Sequence, residues 1–106
     1  MNNKLKEKDF EILRKLYSNP KISQRNLANT LGFSLGKLNY CLKALKDKGL
    51  IKIKNFSKNP NKLYYSYLLT PKGISHKSKM AFYFMKQKIQ EYEDLKKEIE
   101  KDDQNK

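Results

Sequence analysis

A mainly α-helical domain with one small β-hairpin, in the order α-α-α-β-β-α, is the fold class that the sequence predicts. Three observations carry it. Apolar residues recur at spacings of three and four in four separate stretches. The period shifts to two only between Leu50 and Leu69. The breaks between stretches hold residues suited to starting or stopping helices, Ser23, Gly32, Ser34, Gly49 and Thr70.

The first stretch covers residues 9–17. Phe10, Leu13, Leu16 and Tyr17 fall on one face and Glu7, Lys8, Glu11, Arg14 and Lys15 on the other, which predicts an amphipathic helix. Pro20 ends it by disfavouring helical geometry at Asn19. In "ISQRNLANTLGF", Ser23 is placed to cap a second helix reaching about residue 31, with Leu27, Ala28 and Leu31 as its buried stripe and Ile22 at its entry. Gly32 supplies the left-handed residue that stops it. Ser34 caps again, opening a third helix over about residues 35–48 that Gly49 stops. Two short capped helices joined by a tight glycine-containing turn form a helix-turn-helix pattern.

Next, "LIKIKNF" alternates apolar and polar residues, "SKNPNK" is turn chemistry, and "LYYSYLL" is aromatic and β-prone, which predicts two antiparallel strands. "TPKG" opens the last element, with Thr70 as cap and Pro71 at the first helical position, where its missing amide costs nothing. Beyond it, Phe82, Met85, Ile89, Tyr92, Leu95 and Ile99 recur at intervals of three and four to about residue 100, a seam of about three heptads. A helix of about thirty residues extends some 45 Å, longer than so small a domain can cover, so these six residues are expected to mediate dimerisation. The expected organisation is one domain over residues 5–69, a C-terminal dimerisation helix over 70–100 and a frayed tail over 101–106.

Composition narrows the partners. Lys and Arg number 24 against 11 Asp and Glu in 106 residues, a formal net charge of +13, which favours a polyanionic partner. Arginine occurs only at Arg14 and Arg25, and the lysine, asparagine and isoleucine richness also fits the coding bias of an AT-rich genome, so the placement of the lysines matters more than their number. A single cysteine, no span-length apolar run and no hydrophobic signal core predict a cytoplasmic protein with no membrane partner.

The lysines of the third helix sit apart from its leucines. At 100° per residue, Leu35, Leu38, Leu42 and Leu45, flanked by Cys41, occupy one side, and Gly36, Tyr40, Lys43 and Asp47 the other, with Lys37 and Ala44 beside them. Glycine costs about 1 kcal/mol against alanine inside a helix; at Gly36 it permits close approach of the helix N-terminus to bases or phosphates. Lys37 can reach a phosphate or a guanine edge, Tyr40 a phosphate or thymine methyl, Ser34 the backbone, and Asn39, at the margin, an adenine. In the hairpin, Lys52, Lys54, Lys58 and Lys62 flank or occupy the turn and suit a minor groove.

Taken together, the third helix through "CLKALKDKGLI", the short hairpin and "LLTPKG" before a long helix resemble the winged helix-turn-helix of MarR-type bacterial regulators. More narrowly, "ISQRNLANTLGFSLGKLNYCLKALKDKGLIKIKNF" followed by "YYSYLLTPKGISHKSKM" is similar to the compact, exopolysaccharide-associated (EPS-associated) MarR-type proteins, over about residues 5–100. The resemblance implies a homodimeric, sequence-specific transcriptional regulator, expected to be a repressor, that binds double-stranded DNA at an inverted-repeat operator and is encoded beside polysaccharide biosynthesis genes. It implies that the hairpin is the wing, that the terminal helices dimerise, and that Ser34, Gly36, Lys37 and Tyr40 stand at the base-contacting first turn. Where larger relatives carry Asp-x-Arg in the wing this chain has "NPNK", so Lys62 stands in for the arginine without its supporting acid. The larger proteins also have further terminal helices around a small-molecule pocket, and no effector is assigned here.

Other chemistries find little support. Cys41 lies at the edge of the leucine stripe and reads as a structural thiol, and His76, the only histidine, has no partners at metal-ligand spacing. Glu91, Glu93 and Asp94 read as solvent-facing acids on a charged helix. With no nucleophile and base, no phosphate loop and no paired carboxylates, the chain is expected to be neither an enzyme nor a cofactor protein. The competing readings are a winged-helix protein-interaction module and a nonspecific basic nucleic-acid binder.

Overall fold

The computed structural model describes residues 3–54 and 66–104. Six elements follow one another: α1 (Asn3–Ser18), α2 (Gln24–Leu31), α3 (Leu35–Asp47), β1 (Ile51–Lys54), β2 (Ser66–Leu69) and α4 (Pro71–Gln104). The two strands form one antiparallel pair in the register Ile51 with Leu69, Lys52 with Leu68, Ile53 with Tyr67 and Lys54 with Ser66. This is a winged helix-turn-helix, α1 to α3 followed by the hairpin and a long helix.

Local chemistry sets the helix ends. Ser23 and Ser34 hold extended backbone, and their hydroxyls accept from the amides of Asn26 (3.0 Å) and Lys37 (3.1 Å), satisfying N–H groups the first turn leaves unpaired. Gly32 and Gly49 take φ of 70° and 76°, the left-handed conformation that closes α2 and follows α3. After Gly32 the Phe33 amide donates back to the Ala28 carbonyl at 2.8 Å, so the turn into α3 is tight.

One core joins the elements. Ile12, Leu13 and Leu16 of α1, Leu27 and Ala28 of α2, Leu38, Cys41, Leu42 and Leu45 of α3, Leu50 and Ile51, and Met80 of α4 are buried together. Burial of each large aliphatic chain stabilises the fold by roughly 1.5–3 kcal/mol. Two expected core positions differ. In α1, Ile12 is fully buried while Tyr17 is exposed, because the run of apolar residues admits two overlapping stripes and the branched aliphatic chain takes the inner one. In α3, Leu35 is exposed although its angle puts it on the leucine stripe; periodicity gives direction around a helix and says nothing of how far along the axis its neighbours reach.

α4 starts as expected and ends later. The Thr70 hydroxyl accepts from the Gly73 amide (3.0 Å), and the helix continues unbroken through Gln104, so residues 101–104 of the expected frayed tail are helical. The molecule is correspondingly long, 69 × 26 × 24 Å. Among the described residues no helix is long and apolar enough to cross a membrane.

The start of α4 is fastened to the end of α3. Thr70 Oγ1 donates to the Gly49 carbonyl (2.6 Å), the Thr70 amide to the Leu50 carbonyl (3.0 Å), and Lys72 Nζ to the Lys48 carbonyl (3.0 Å). Gly73 is buried here, and a β-carbon at this position would overlap the Leu50 carbonyl oxygen. This corner gives "LLTPKG" its physical content: a cap, a proline at N1, and a residue with no side chain where two backbones meet.

Candidate nucleic-acid interface

α3 is anchored from beneath by Leu38, Leu42 and Leu45, and its opposite face is bare. Ser34, Gly36, Lys37, Asn39, Tyr40 and Lys43 are all exposed, Tyr40 to 74%. A phenol ring left that open is a side chain available to a ligand. Around Gly36 a β-carbon would meet nothing within 4 Å, so no contact among the described residues demands glycine there, in contrast with Gly73.

Phe33 positions the basic side chain at the mouth of this helix. Its half-buried ring lies under the ammonium of Lys37 at 5.0 Å and that of Lys8 at 5.1 Å, each within cation–π range. Lys37 therefore leans toward the N-terminus of α3, where the helix dipole and the open amides of the first turn already favour an anion. Periodicity could not have found this role for Phe33, since the residue sits in the turn between two helices. Its signal is an aromatic residue between a left-handed glycine and a capping serine.

The wing is tied to the helix-turn-helix by a bond between elements far apart in sequence. Gln24 Nε2 donates to the Tyr67 hydroxyl at 3.0 Å, joining the first turn of α2 to β2. Lys52 and Lys54 are exposed on β1, so the strand, packed against α3 and β2, carries its positive charge outward. Lys58 and Lys62 lie outside the described residues. Neither Gln24 nor Tyr67 stands out in the sequence, because a partner 43 residues away leaves no local pattern.

Two titratable groups near α3, Cys41 and Asp9, are shifted by burial. Cys41 is buried, and loss of solvent pushes its thiol up, with the Asp9 carboxylate acting in the same direction and Lys37 and Lys8 against. A raised thiol holds less thiolate at neutral pH and reacts slowly. Burial likewise raises the Asp9 carboxyl, opposed by Lys48 and His76. Among the described residues no group of three or more His, Cys, Asp and Glu could hold a metal ion.

The dimerisation residues expected from the sequence are, among the described residues, the most exposed apolar side chains of the chain's second half. Phe82, Met85, Ile89, Tyr92, Leu95 and Ile99 are 49–64% accessible. The chain's own domain is met by a different face of α4, through Gly73, Met80 and Phe84, whose ring stacks on Phe10 at 5.2 Å.

Residues 5–52 match the family model described as winged helix-turn-helix DNA-binding. No curated protein matches the chain. Among solved structures, Staphylococcus aureus MarR in complex with salicylate and kanamycin superposes with a TM-score of 0.60 at 22% identity, over 83% of this chain and 56% of that one. MepR, a transcription regulator of the Staphylococcus aureus multidrug efflux pump MepA, gives 0.64 at 21% identity, over 89% and 74%. The transcriptional repressor CouR, bound to a 23-mer DNA duplex, gives 0.57 at 27% identity, over 68% and 49%. The chain thus spans about half the length of the first and last of these proteins. What it shares with them is the winged helix-turn-helix fold.

Proposed function

We propose that the chain is a sequence-specific DNA-binding transcriptional regulator of the MarR type, a homodimer that places α3 in the major groove and the wing along the adjoining minor groove of an inverted-repeat operator. The observation that carries this reading is the open end of α3. A capped N-terminus, a glycine with free space around it, a lysine steered by Phe33 and a bare tyrosine project from a helix whose other face is fixed in the core. That arrangement offers backbone amides and a cation to phosphates, and side chains to base edges. The match of residues 5–52 and the DNA-bound repressor among the structural neighbours support the same partner.

Lys43 and Lys54 extend the positive surface along α3 and the wing, and Lys58 and Lys62 complete it by sequence position. Phe82, Met85, Ile89, Tyr92, Leu95 and Ile99 hold the dimer. Repression, and control of polysaccharide biosynthesis genes, are the finer parts of the proposal and rest on the resemblance of the "SLGKLNYCLKAL" and "YLLTPKG" stretches to the compact exopolysaccharide-associated proteins.

The test is enrichment of fragmented genomic DNA from the source organism by the purified protein, near physiological salt and with excess nonspecific competitor. A few sites sharing an inverted repeat are the expected result, and the double variant Lys37→Glu, Lys43→Glu should lose them. Uniform recovery that collapses with salt would replace the proposal with nonspecific phosphate binding. No recovery at all would replace it with a protein-interaction module.

A further inference from the structure

α4 carries more information than a stripe of exposed apolar residues. With Phe82 as position a of a heptad, Met85 is d, Ile89 a, Tyr92 d, Lys96 a and Ile99 d. Two features break the apolar pattern: a lysine stands at the a position of residue 96, and Leu95 falls beside it at g. The e positions, one per heptad, read Lys79, Lys86, Glu93, Glu100. All four are exposed and lie beside the seam.

That order of charges is better matched when reversed: a parallel pair sets Lys88 at g against Glu93 at e of its partner, two ion pairs, and leaves Lys79, Lys86 and Glu100 without opposite charges. Along α4, residues 71–90 contain five lysines and no acid, and residues 91–104 contain seven acids and three lysines. In a parallel pair of helices like ends meet, and Lys96 faces its own copy inside the apolar seam. In an antiparallel pair a positions face d positions, and e positions face e positions. Centred between Gln90 and Glu91, such a pair sets Phe82 against Ile99, Ile89 against Tyr92, and Lys96 against Met85. The same register brings Lys86 to Glu93 and Lys79 to Glu100, four cross-helix ion pairs for the dimer.

The groove beside the seam accounts for Leu95. It runs between α1 and α4; Ala81, Phe84 and Met85 line it from α4 together with Phe10, while Glu11, Arg14 and Lys88 are among the charged side chains that also border it. Ala81 and Lys88 are g positions, so the groove opens on the g side of α4. An antiparallel partner turns its own g side to this edge and brings Leu95 of the second copy to the level of Lys86, beside the groove. The one seam residue off the a and d track thus falls beside the apolar side chains that α4 contributes to the recess.

We propose that two copies pair through α4 as an antiparallel coiled coil with its two-fold axis between Gln90 and Glu91, oriented by the charge order Lys79, Lys86, Glu93, Glu100. The proposal rests on the homodimer reading above and specifies its geometry. Oxidative cross-linking of the full chain tests it, with native Cys41 left in place because it is buried. Phe82→Cys and Ile99→Cys chains, mixed, should form a disulfide-linked heterodimer, and neither variant alone should cross-link, since like positions stand about 25 Å apart along the axis. Self-cross-linking of Ile99→Cys would overturn the antiparallel orientation while leaving the dimer standing.

A second pair of surface variants guards against loss of the dimer through the cysteines. Lys86→Glu should weaken dimerisation several-fold in sedimentation equilibrium, and adding Glu93→Lys should restore it. Failure to restore would overturn the register. A chain that is monomeric at every concentration would overturn the pairing altogether. Dimers with these cross-links that enrich no specific DNA would leave the pairing standing and remove the proposed function.

Discussion

α3 and α4 are written in the same periodicity and put it to different uses. In α3 the apolar stripe is consumed inside the domain and the polar face is left bare. In α4 one narrow face, Gly73, Met80 and Phe84, docks on the domain, while the longer apolar seam lies open on another side. Length decides between the two. A helix of 13 residues is covered by its neighbours along nearly its whole extent, whereas one of 34 residues outruns them. Apolar spacing of three and four therefore identifies a buried face without saying whose surface buries it.

The two glycines that open these helices give the sharpest way to break the comparison, and the largest effect. Gly73→Ala drives a methyl group into the Leu50 carbonyl, so we expect loss of more than about 3 kcal/mol of stability in chemical denaturation, in line with severe overpacking. The same substitution at Gly36 meets open space and should leave stability unchanged or raise it by up to about 1 kcal/mol, while operator affinity falls. A Gly73→Ala protein as stable as the parent would show that the corner yields, and that the close approach is not what glycine serves there.

The next test separates the two stripes. Leu38→Ala removes a fully buried side chain and should cost about 2–5 kcal/mol in unfolding free energy at any protein concentration. Ile89→Ser, at a half-exposed seam position, should leave the monomer's own unfolding nearly unchanged and instead make the melting temperature fall on dilution. Ile89→Ser protein with a concentration-independent melt equal to the parent's would remove the seam from the assembly.

Smaller effects sharpen the picture of α3. Ser34→Ala leaves the Lys37 amide without its acceptor and should cost about 0.5–2 kcal/mol, together with weaker operator binding as the first turn loosens. Asp9→Asn should have the smallest effect. Its carboxyl is raised by burial, so the charged form is disfavoured in the folded state, and the neutral side chain should raise the melting temperature at pH 7. That gain should vanish as the pH drops below the ordinary carboxylate range, where the aspartate is neutral in both states.

Much of the architecture was legible because helix ends are local events. Ser23, Ser34 and Thr70 announce helix starts through a hydroxyl and an amide three residues away, and Gly32 and Gly49 announce stops through a conformation other residues avoid. What depends on distant neighbours was misplaced or missed. Ile12 and Tyr17 flank Leu13 and Leu16 on opposite sides and the domain covers only the Ile12 side, Leu35 lies beyond the reach of the core, and the final turn of α4 persists past the seam that predicted it. At the candidate interface, the exposure of Lys37, Tyr40 and Gly36 followed from the helical wheel. The Phe33 ring beneath Lys37 and the Gln24–Tyr67 bond that sets the wing did not, because each joins segments that only the folded chain brings together.

The corner where Thr70, Lys72 and Gly73 meet residues 48–50 gives α4 the mechanics of a crank. The bolts fasten the shaft to the tail of α3, Met80 and Phe84 bear on the domain, and the free arm beyond them is about 30 Å long. A turn of a few degrees at the corner swings the far end through several ångströms, and force applied to that end returns to the corner multiplied by the same ratio. Whatever grips the tip of α4 thereby holds a mechanical advantage over the pitch of the helix proposed to read DNA.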